Sequence, residues 1–96
     1  MTAYVIFMRE RTTDQTELDI YASMTPAARE GHSIRALHKY GRFEVREGDP
    51  VEGVVVLEFP TFEEAQAWYD SPKYQEAAAH RMKGSDYRMV IVDGID

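Results

Sequence analysis

The fold is decided by one stretch of sequence, Gly53-Val54-Val55-Val56-Leu57-Glu58-Phe59-Pro60. Its β-branched and aromatic residues favour a strand, and Pro60 ends that strand because proline cannot donate a hydrogen bond to a sheet. Glu58 is the one charge before it, and a carboxylate there needs a basic partner such as Arg35 or Arg81. Apart from Glu58, both faces of the strand are apolar, so each face of the sheet needs a cover.

Two other segments have clear strand patterns. Ala3–Arg9 is an aromatic and β-branched run that is too short for a helix, and it is also apolar on both faces. Tyr87–Val92 is a run of the same kind near the end of the sequence. These segments are the predicted first and last strands.

The predicted second strand carries a weaker signal. Ser33–Tyr40 alternates with a period of two, although a helix is the competing interpretation. In the strand interpretation, one face carries Ile34, Ala36, His38 and Tyr40. Gly41 predicts a bulge before the strand resumes over Phe43–Arg46, since a bulge uses glycine and protects a sheet edge.

Helical patterns separate these strands. A first helix is predicted from Asp14 to about Glu30, with Asp14 as its cap, Glu17 as the capping-box partner and Gly31 as its stop. A second is predicted over about Thr61–Met82, bent where Ser71-Pro72 restarts it. Right-handed crossovers fold this β-α-β-β-α-β order into a ferredoxin-like α+β domain, a four-stranded antiparallel sheet with both helices on one face.

The other face of that sheet is apolar and has no helix to cover it. The simplest cover is a second copy of the sheet, related to the first by a two-fold axis. We therefore expect a homodimer in which each chain is a single domain over residues 1–96. A monomer with an ordinary mixed surface is the alternative, because exposed apolar surface is common in proteins.

Composition excludes several classes of function. A formal net charge of -6 opposes binding to nucleic acid and to anionic membranes. The chain has no cysteine, which excludes disulfides, thiolate catalysis and thiolate metal sites. No run approaches the roughly 20 apolar residues of a membrane span, and Met1-Thr2-Ala3 leads into the first strand without a signal-peptide pattern. We expect a cytoplasmic protein.

Three segments carry a resemblance to a known family: Leu57–Thr61, Trp68–Gln75 and Asp86–Gly94. The middle segment reads Trp-Tyr-Asp-Ser-Pro-Lys-Tyr-Gln and is the most specific of the three. Together they resemble the uncharacterised family known as domain of unknown function 1330, in the dimeric α+β barrel superfamily. The resemblance covers nearly the whole chain and implies a ferredoxin-like fold with paired sheets, but no reaction. Members often begin the second strand with a Gly-Gly-Arg-Phe-like sequence, where this chain has Gly31-His32-Ser33-Ile34.

No catalytic or metal-binding motif is present in the sequence. The three histidines lack the spacing of a His-Glu-x-x-His metal helix. There is no glycine-rich phosphate loop and no Gly-x-Ser-x-Gly elbow. Ser71 is followed directly by Pro72 and is better explained as a helix cap than as a nucleophile. We expect neither a metal nor a cofactor.

His38 is the candidate acid, base or ligand donor, because a neutral imidazole titrates close to physiological pH. A histidine at a sheet edge with only local hydrogen bonds is the alternative. Tyr21, Trp68 and Arg81 are the other candidate ligand-binding residues. Tyrosine and tryptophan tips line pockets, and guanidinium pairs with carboxylates. The alternative for Trp68, as for Tyr69 and Tyr74, is packing in the core.

Two functions fit these residues best. The first is a homodimeric module that binds a small, partly apolar molecule between its helices and its sheet. The second is a cofactor-independent enzyme of the isomerase or monooxygenase type, with His38 as the acid or base. A purely structural or interaction role is a third. A pocket with a strongly shifted histidine would favour the enzyme, whereas a dry pocket without a titrating group would favour binding.

Overall fold

The structure, a computed structural model, describes residues 1–95. Its elements in chain order are β1 (Ala3–Thr12), α1 (Gln15–Ala28), β2 (Arg35–Lys39), β3 (Gly53–Phe59), α2 (Phe62–Asp70), α3 (Pro72–Gly84) and β4 (Ser85–Asp93). The strands form an antiparallel sheet in the order β2-β3-β1-β4, so β1 and β3 are the inner strands. The predicted ferredoxin-like order is confirmed, with the second helix divided into α2 and α3.

The core lies between the helices and one face of the sheet. Val5 and Phe7 of β1 pair with Leu57 and Val55 of β3, and all four side chains are buried. They pack against buried residues of all three helices, including Ala28, Ala65, Trp68 and Tyr74. The strict alternation of buried and half-buried residues along β3 follows from the two-residue period of a strand.

The opposite face of the sheet, which we call the open face, carries Tyr4, Ile6, Met8, Val54, Val56, Val90 and Val92. Val90 is 48% exposed and Val92 is 39% exposed, and the inner-strand residues are half-buried. No helix of the described chain packs on this face. Glu58 also lies here, with its Oε1 3.9 Å from Nη1 of Arg35, so Arg35 and not Arg81 is its basic neighbour.

The start of α1 follows the predicted cap but not the predicted capping box. The carboxylate of Asp14 accepts a hydrogen bond from the backbone N–H of Thr16 at 3.0 Å. The backbone N–H of Asp14 donates to the carbonyl of Gly84 at 3.0 Å, so it has no need of Glu17. The Glu17 carboxylate instead contacts Nδ1 of His80 at 2.6 Å, which ties α1 to α3.

Ser71 is shared by the end of α2 and the start of α3. Its hydroxyl donates to the carbonyl of Trp68 at 2.7 Å and accepts from the backbone N–H of Tyr74 at 3.3 Å. Pro72 follows in the first turn of α3, where a missing N–H has no consequence. The predicted restart at Ser71-Pro72 is therefore confirmed, and it ends one helix and begins another.

Replacing Ser71 with Ala is expected to lower the free energy of unfolding by about 1 kcal/mol, the usual effect of a lost helix cap. Urea denaturation measures it. Ser23→Ala is the matched control, because Ser23 is exposed within α1 and caps neither end. Equal midpoints for wild type and Ser71→Ala would contradict the capping role.

The path of β2 differs from the prediction, and His38 changes face as a result. The register with β3 shifts between Ala36 and His38, so the bulge lies at Leu37 and not at Gly41. His38 pairs with Val56 and lies on the open face, while Ala36 is on the helix-covered side. The prediction that the two residues share a face is wrong, because an inserted residue reverses the side chains that follow it.

The predicted continuation of the second strand over Phe43–Arg46 is also wrong. These residues lie outside the sheet, in an exposed connection between β2 and β3. The strand ends at Lys39, and Tyr40 directly after it has a positive φ of 55°. A left-handed residue turns the chain out of the extended conformation, so the pairing with β3 cannot continue beyond it.

Candidate functional site

A cavity of about 210 Å³ lies between α1 and the helix-covered face of the sheet. Its aromatic and aliphatic walls include Phe7, Tyr21, Tyr40, Leu57, Trp68 and Tyr87. We call it the aromatic cavity. Its walls come from all four strands, from α1 and α2, and from the residue that follows β2, so the folded sheet and helices are needed to form it.

Two tyrosine pairs line or adjoin the aromatic cavity. The hydroxyls of Tyr21 and Tyr74 are 2.9 Å apart, and those of Tyr40 and Tyr87 are 2.5 Å apart. Burial is the main cause that raises the pKa of Tyr21, Tyr40 and Tyr74 above the ordinary value of 10.0. The three phenols are therefore neutral near physiological pH and keep their protons for hydrogen bonds.

Tyr40 is held in its unusual conformation by three contacts. Its hydroxyl bonds to Tyr87, and Cζ of Arg9 lies 5.0 Å from the centroid of its ring. The ring also rests on Gly53, where an added Cβ would lie 2.5 Å from Cδ1 of Tyr40. A non-glycine residue with φ near 55° is unfavourable, so the surrounding contacts are what keep Tyr40 at the wall of the cavity.

Arg81 is a buried cation, with only 5% of its surface exposed. Its Cζ lies 5.5 Å from the ring centroid of Phe7, 5.9 Å from that of Tyr21 and 5.1 Å from that of Tyr87. Within residues 1–95 no carboxylate forms an ion pair with it, and its Nε has no hydrogen-bond acceptor. Aromatic faces and a side-chain hydrogen bond with Tyr74 thus provide its stabilising contacts.

Arg81 also lines a second, wider hollow of about 890 Å³ beside β4. This hollow is open to solvent, and its charged walls include Glu10, Arg11, Asp49 and Asp86. Arg81 therefore lies between the two concavities, with Tyr87 contributing to both. We take the smaller one as the candidate site because it is more enclosed and its lining is mainly apolar, as in most small-molecule sites.

The structure brings together three of the four residues that the sequence singled out. Tyr21 and Trp68 line the aromatic cavity, and Arg81 stacks against three of its rings. His38 is elsewhere, on the open face, where its Nε2 is buried without a hydrogen-bond partner among the described residues. Tyr74 packs in the core, where it is fully buried against Trp68 with ring centroids 4.1 Å apart.

Sequence reasoning missed Arg9, Tyr40 and Tyr87 as wall residues of the cavity. For Arg9 a signal existed, because Val5, Phe7 and Arg9 alternate onto one face of β1. No sequence pattern predicted the left-handed conformation of Tyr40, which brings its ring beside Tyr87.

Two further observations concern residues 1–95 as a whole. No group of three histidine, aspartate or glutamate side chains there is arranged to hold a metal ion. None of its helices has the length and apolar character needed to cross a membrane.

Comparison with known proteins gives a family and a fold. A family model described as a domain of unknown function, DUF1330, matches residues 2–95. No curated protein matches the chain. Among solved structures, a protein of unknown function from Rhodopseudomonas palustris is 17% identical, with a TM-score of 0.73, covering 99% of this chain and 83% of that one.

Two other solved structures are informative by their descriptions. A dimeric ferredoxin-like protein of unknown function from Jannaschia is 15% identical over 98% of this chain and 100% of that one, with a TM-score of 0.66. SnoaB, a cofactor-independent oxygenase from Streptomyces nogalater, is 10% identical over 99% and 93%, with a TM-score of 0.62. At these identities the likeness shows the fold alone.

Proposed function

This chain belongs to the DUF1330 family, and we propose that it binds a small, partly apolar molecule between its helices and its sheet. The observation that carries the proposal is the aromatic cavity. A dry, apolar cavity of about 150 Å³ is enough to bind benzene. At about 210 Å³, this cavity has room for one ring and a small substituent.

The walls of the cavity suit such a molecule. Trp68 and Tyr21 offer aromatic surface, while the hydroxyls of Tyr40 and Tyr87 offer polar atoms at fixed positions. A mostly apolar lining with a few well-placed polar groups is the usual design of a site that binds and orients a small molecule. Arg81, behind the rings of Tyr21 and Tyr87, adds positive charge to this environment.

The binding unit that we propose is a homodimer formed through the open face. The apolar side chains of that face and the dimeric description of several solved structures with this fold support the proposal. Pairing two such faces would remove exposed residues such as Val90 and Val92 from water, which is the main driving force of association. The cytoplasmic location remains a prediction.

The proposed binding is tested by filling the cavity. Ala22 lines the cavity on α1, so Ala22→Phe should reduce its volume, whereas Ala79→Phe on the exposed side of α3 should leave it unchanged. A set of single-ring aromatic compounds, including benzyl alcohol, benzamide and benzoate, is screened by nuclear magnetic resonance and by the fluorescence of Trp68.

We expect at least one compound to shift the side-chain signals of Tyr21 and Trp68 together in wild type and in Ala79→Phe. Binding should be weaker by about tenfold or more in Ala22→Phe, because the added ring takes up space that the ligand would occupy. Shifts confined to residues distant from the cavity, in a screen that finds binders, would contradict the proposed site.

The second candidate function is a cofactor-independent enzyme of the isomerase or monooxygenase type. The observation that favours it is the similarity in fold to SnoaB over 99% of this chain. In this candidate function His38 is the acid or base. Because His38 lies on the open face, the substrate would have to reach that face. Loss of turnover in His38→Ala, with binding in the aromatic cavity unchanged, would support it, whereas equal turnover would exclude His38 from the reaction.

A further inference from the structure

We propose that the molecule held in the aromatic cavity is a planar aromatic acid, bound as its carboxylate anion. This inference rests on the proposed function, because it names the class of ligand for the same cavity. It is carried by an imbalance in the walls, which hold more positive charge than negative charge and more hydrogen-bond donors than acceptors.

The charge imbalance is local. The cavity is lined by three cationic side chains, Arg9, Arg29 and Lys39, and by a single carboxylate, Asp19. Asp19 is an exposed residue of α1 that already accepts a hydrogen bond from Gln15 at 2.9 Å. The chain as a whole has a net charge of -6, so cations are concentrated at this cavity against the general trend. A positive concave site attracts anions.

One buried donor on the cavity wall has no acceptor. Nε1 of Trp68, which lines the cavity, is buried without a hydrogen bond among the described residues. Arg9 is a different case, because its Nε lies 3.1 Å from Oε1 of Glu52, with which it forms an ion pair. Buried polar groups are nearly always satisfied in native proteins, so the indole N–H of Trp68 calls for an acceptor that the described residues do not supply.

The tyrosine pairs add to the surplus of donors. In each pair one O–H donates to the other oxygen, so the second O–H stays free to donate elsewhere. Tyr40 and Tyr87 both line the cavity, so the pair with this free proton is part of the cavity wall. The two oxygens of a carboxylate can accept from several such donors at once.

Arg81 supplies the last part of the argument. It is a guanidinium at 5% exposure with no carboxylate partner in residues 1–95, held against the rings of Phe7, Tyr21 and Tyr87. A buried cation is unfavourable unless a counter-charge lies nearby. An anion in the aromatic cavity would provide that charge across a single layer of rings.

The shape of the cavity restricts the anion to a small aromatic acid. The volume of about 210 Å³ suits one ring with a carboxylate, and the rings of Trp68 and Tyr21 provide flat surfaces for it. Offset or edge-to-face contacts between such rings are favourable. A long-chain fatty acid or a nucleotide would not fit within this volume.

The experiment compares benzoate with benzamide, which has nearly the same shape and no charge. Titrations followed by Trp68 fluorescence are expected to show at least about tenfold tighter binding of benzoate. Added sodium chloride should weaken the binding of benzoate and leave that of benzamide nearly unchanged, since salt screens exposed charges at the cavity mouth. Equal affinities for the two compounds at the cavity would overturn the proposed ligand class and leave the proposed function standing.

Two sets of variants test which residues cause the expected preference for benzoate over benzamide. Arg81→Met is expected to abolish the preference for benzoate, and Arg81→Lys to keep part of it. Because a change at buried Arg81 can prevent folding, exposed Lys39 gives a second test: Lys39→Met should weaken benzoate binding by about threefold. Lys73→Met, at an exposed site outside the cavity, is its control.

Two other outcomes would contradict the proposed ligand class, and the second of them would also contradict the proposed function. If Lys39→Met and a folded Arg81→Met bind benzoate as wild type does, the surplus of positive charge does not select the ligand, and the inference is overturned. If neither benzoate nor benzamide nor any other single-ring compound perturbs Tyr21 and Trp68, the proposed function fails together with the inference.

Discussion

Replacing Tyr74 with Ala is expected to lower the free energy of unfolding by about 3–5 kcal/mol, the range found for large buried aromatic residues. Tyr74 is fully buried, and its ring contacts those of Trp68, Tyr21 and Tyr69 at centroid distances of 4.1, 6.2 and 5.5 Å. Such a loss is a large part of the roughly 5–15 kcal/mol that stabilises a domain. Urea denaturation followed by circular dichroism measures it.

Tyr74→Phe is the matched control for this prediction. It keeps the ring and removes only the hydroxyl that bonds to Tyr21 at 2.9 Å, so we expect a loss of about 1 kcal/mol. Comparable losses in the two variants would mean that the hydroxyl pair, and not the packing of the ring, holds α1 against α3.

Replacing Ile6 with Lys is expected to convert a dimer into a monomer. Ile6 is half-buried in the middle of the open face, opposite Val56 on one side and Val90 on the other. In a two-fold pairing of open faces, each copy would place an unpaired ammonium in an apolar interface, at a cost of several kcal/mol. Sedimentation equilibrium at micromolar concentration should give the mass of two chains for wild type and of one chain for the variant.

Met82→Lys is the control for the change at Ile6. Met82 is an apolar residue on α3, 57% exposed and away from the open face, so a charge there should leave the dimer intact. A wild-type mass of one chain would refute the proposed homodimer. A dimeric Ile6→Lys variant would move the interface to another surface.

The parts of the fold that the sequence predicted well depend on local signals. β3 begins and ends where its apolar run and Pro60 indicated, because strand propensity and a chain-breaking proline act within a few residues. The same holds for the restart at Ser71-Pro72. The end of α1 was predicted less closely, because the helix ends at Ala28 with Arg29 as its cap, and Gly31, with a φ of 80°, lies in the turn that follows. The apolar open face was predicted because β1 and β3 carry apolar residues on both of their faces.

The failures concern features that two or more segments determine jointly. The bulge at Leu37 is a property of the register between β2 and β3, so the alternation of one strand could not locate it. The residues of the candidate site were predicted only in part for the same reason. Tyr21 and Trp68 lie on helices whose inner faces are visible as apolar stripes, whereas Tyr40 reaches the cavity through a turn that no local pattern marks.

The contact between Gly53 and Tyr40 restricts which substitutions these two positions can tolerate during evolution. Gly53 has no unusual backbone angle of its own, yet a methyl group there would collide with the ring that closes the cavity wall. We therefore expect the two positions to co-vary. Among homologues, a residue other than glycine at position 53 should occur only where position 40 no longer carries a large aromatic side chain. A lineage that makes the first change without the second would give up the Tyr40–Tyr87 contact.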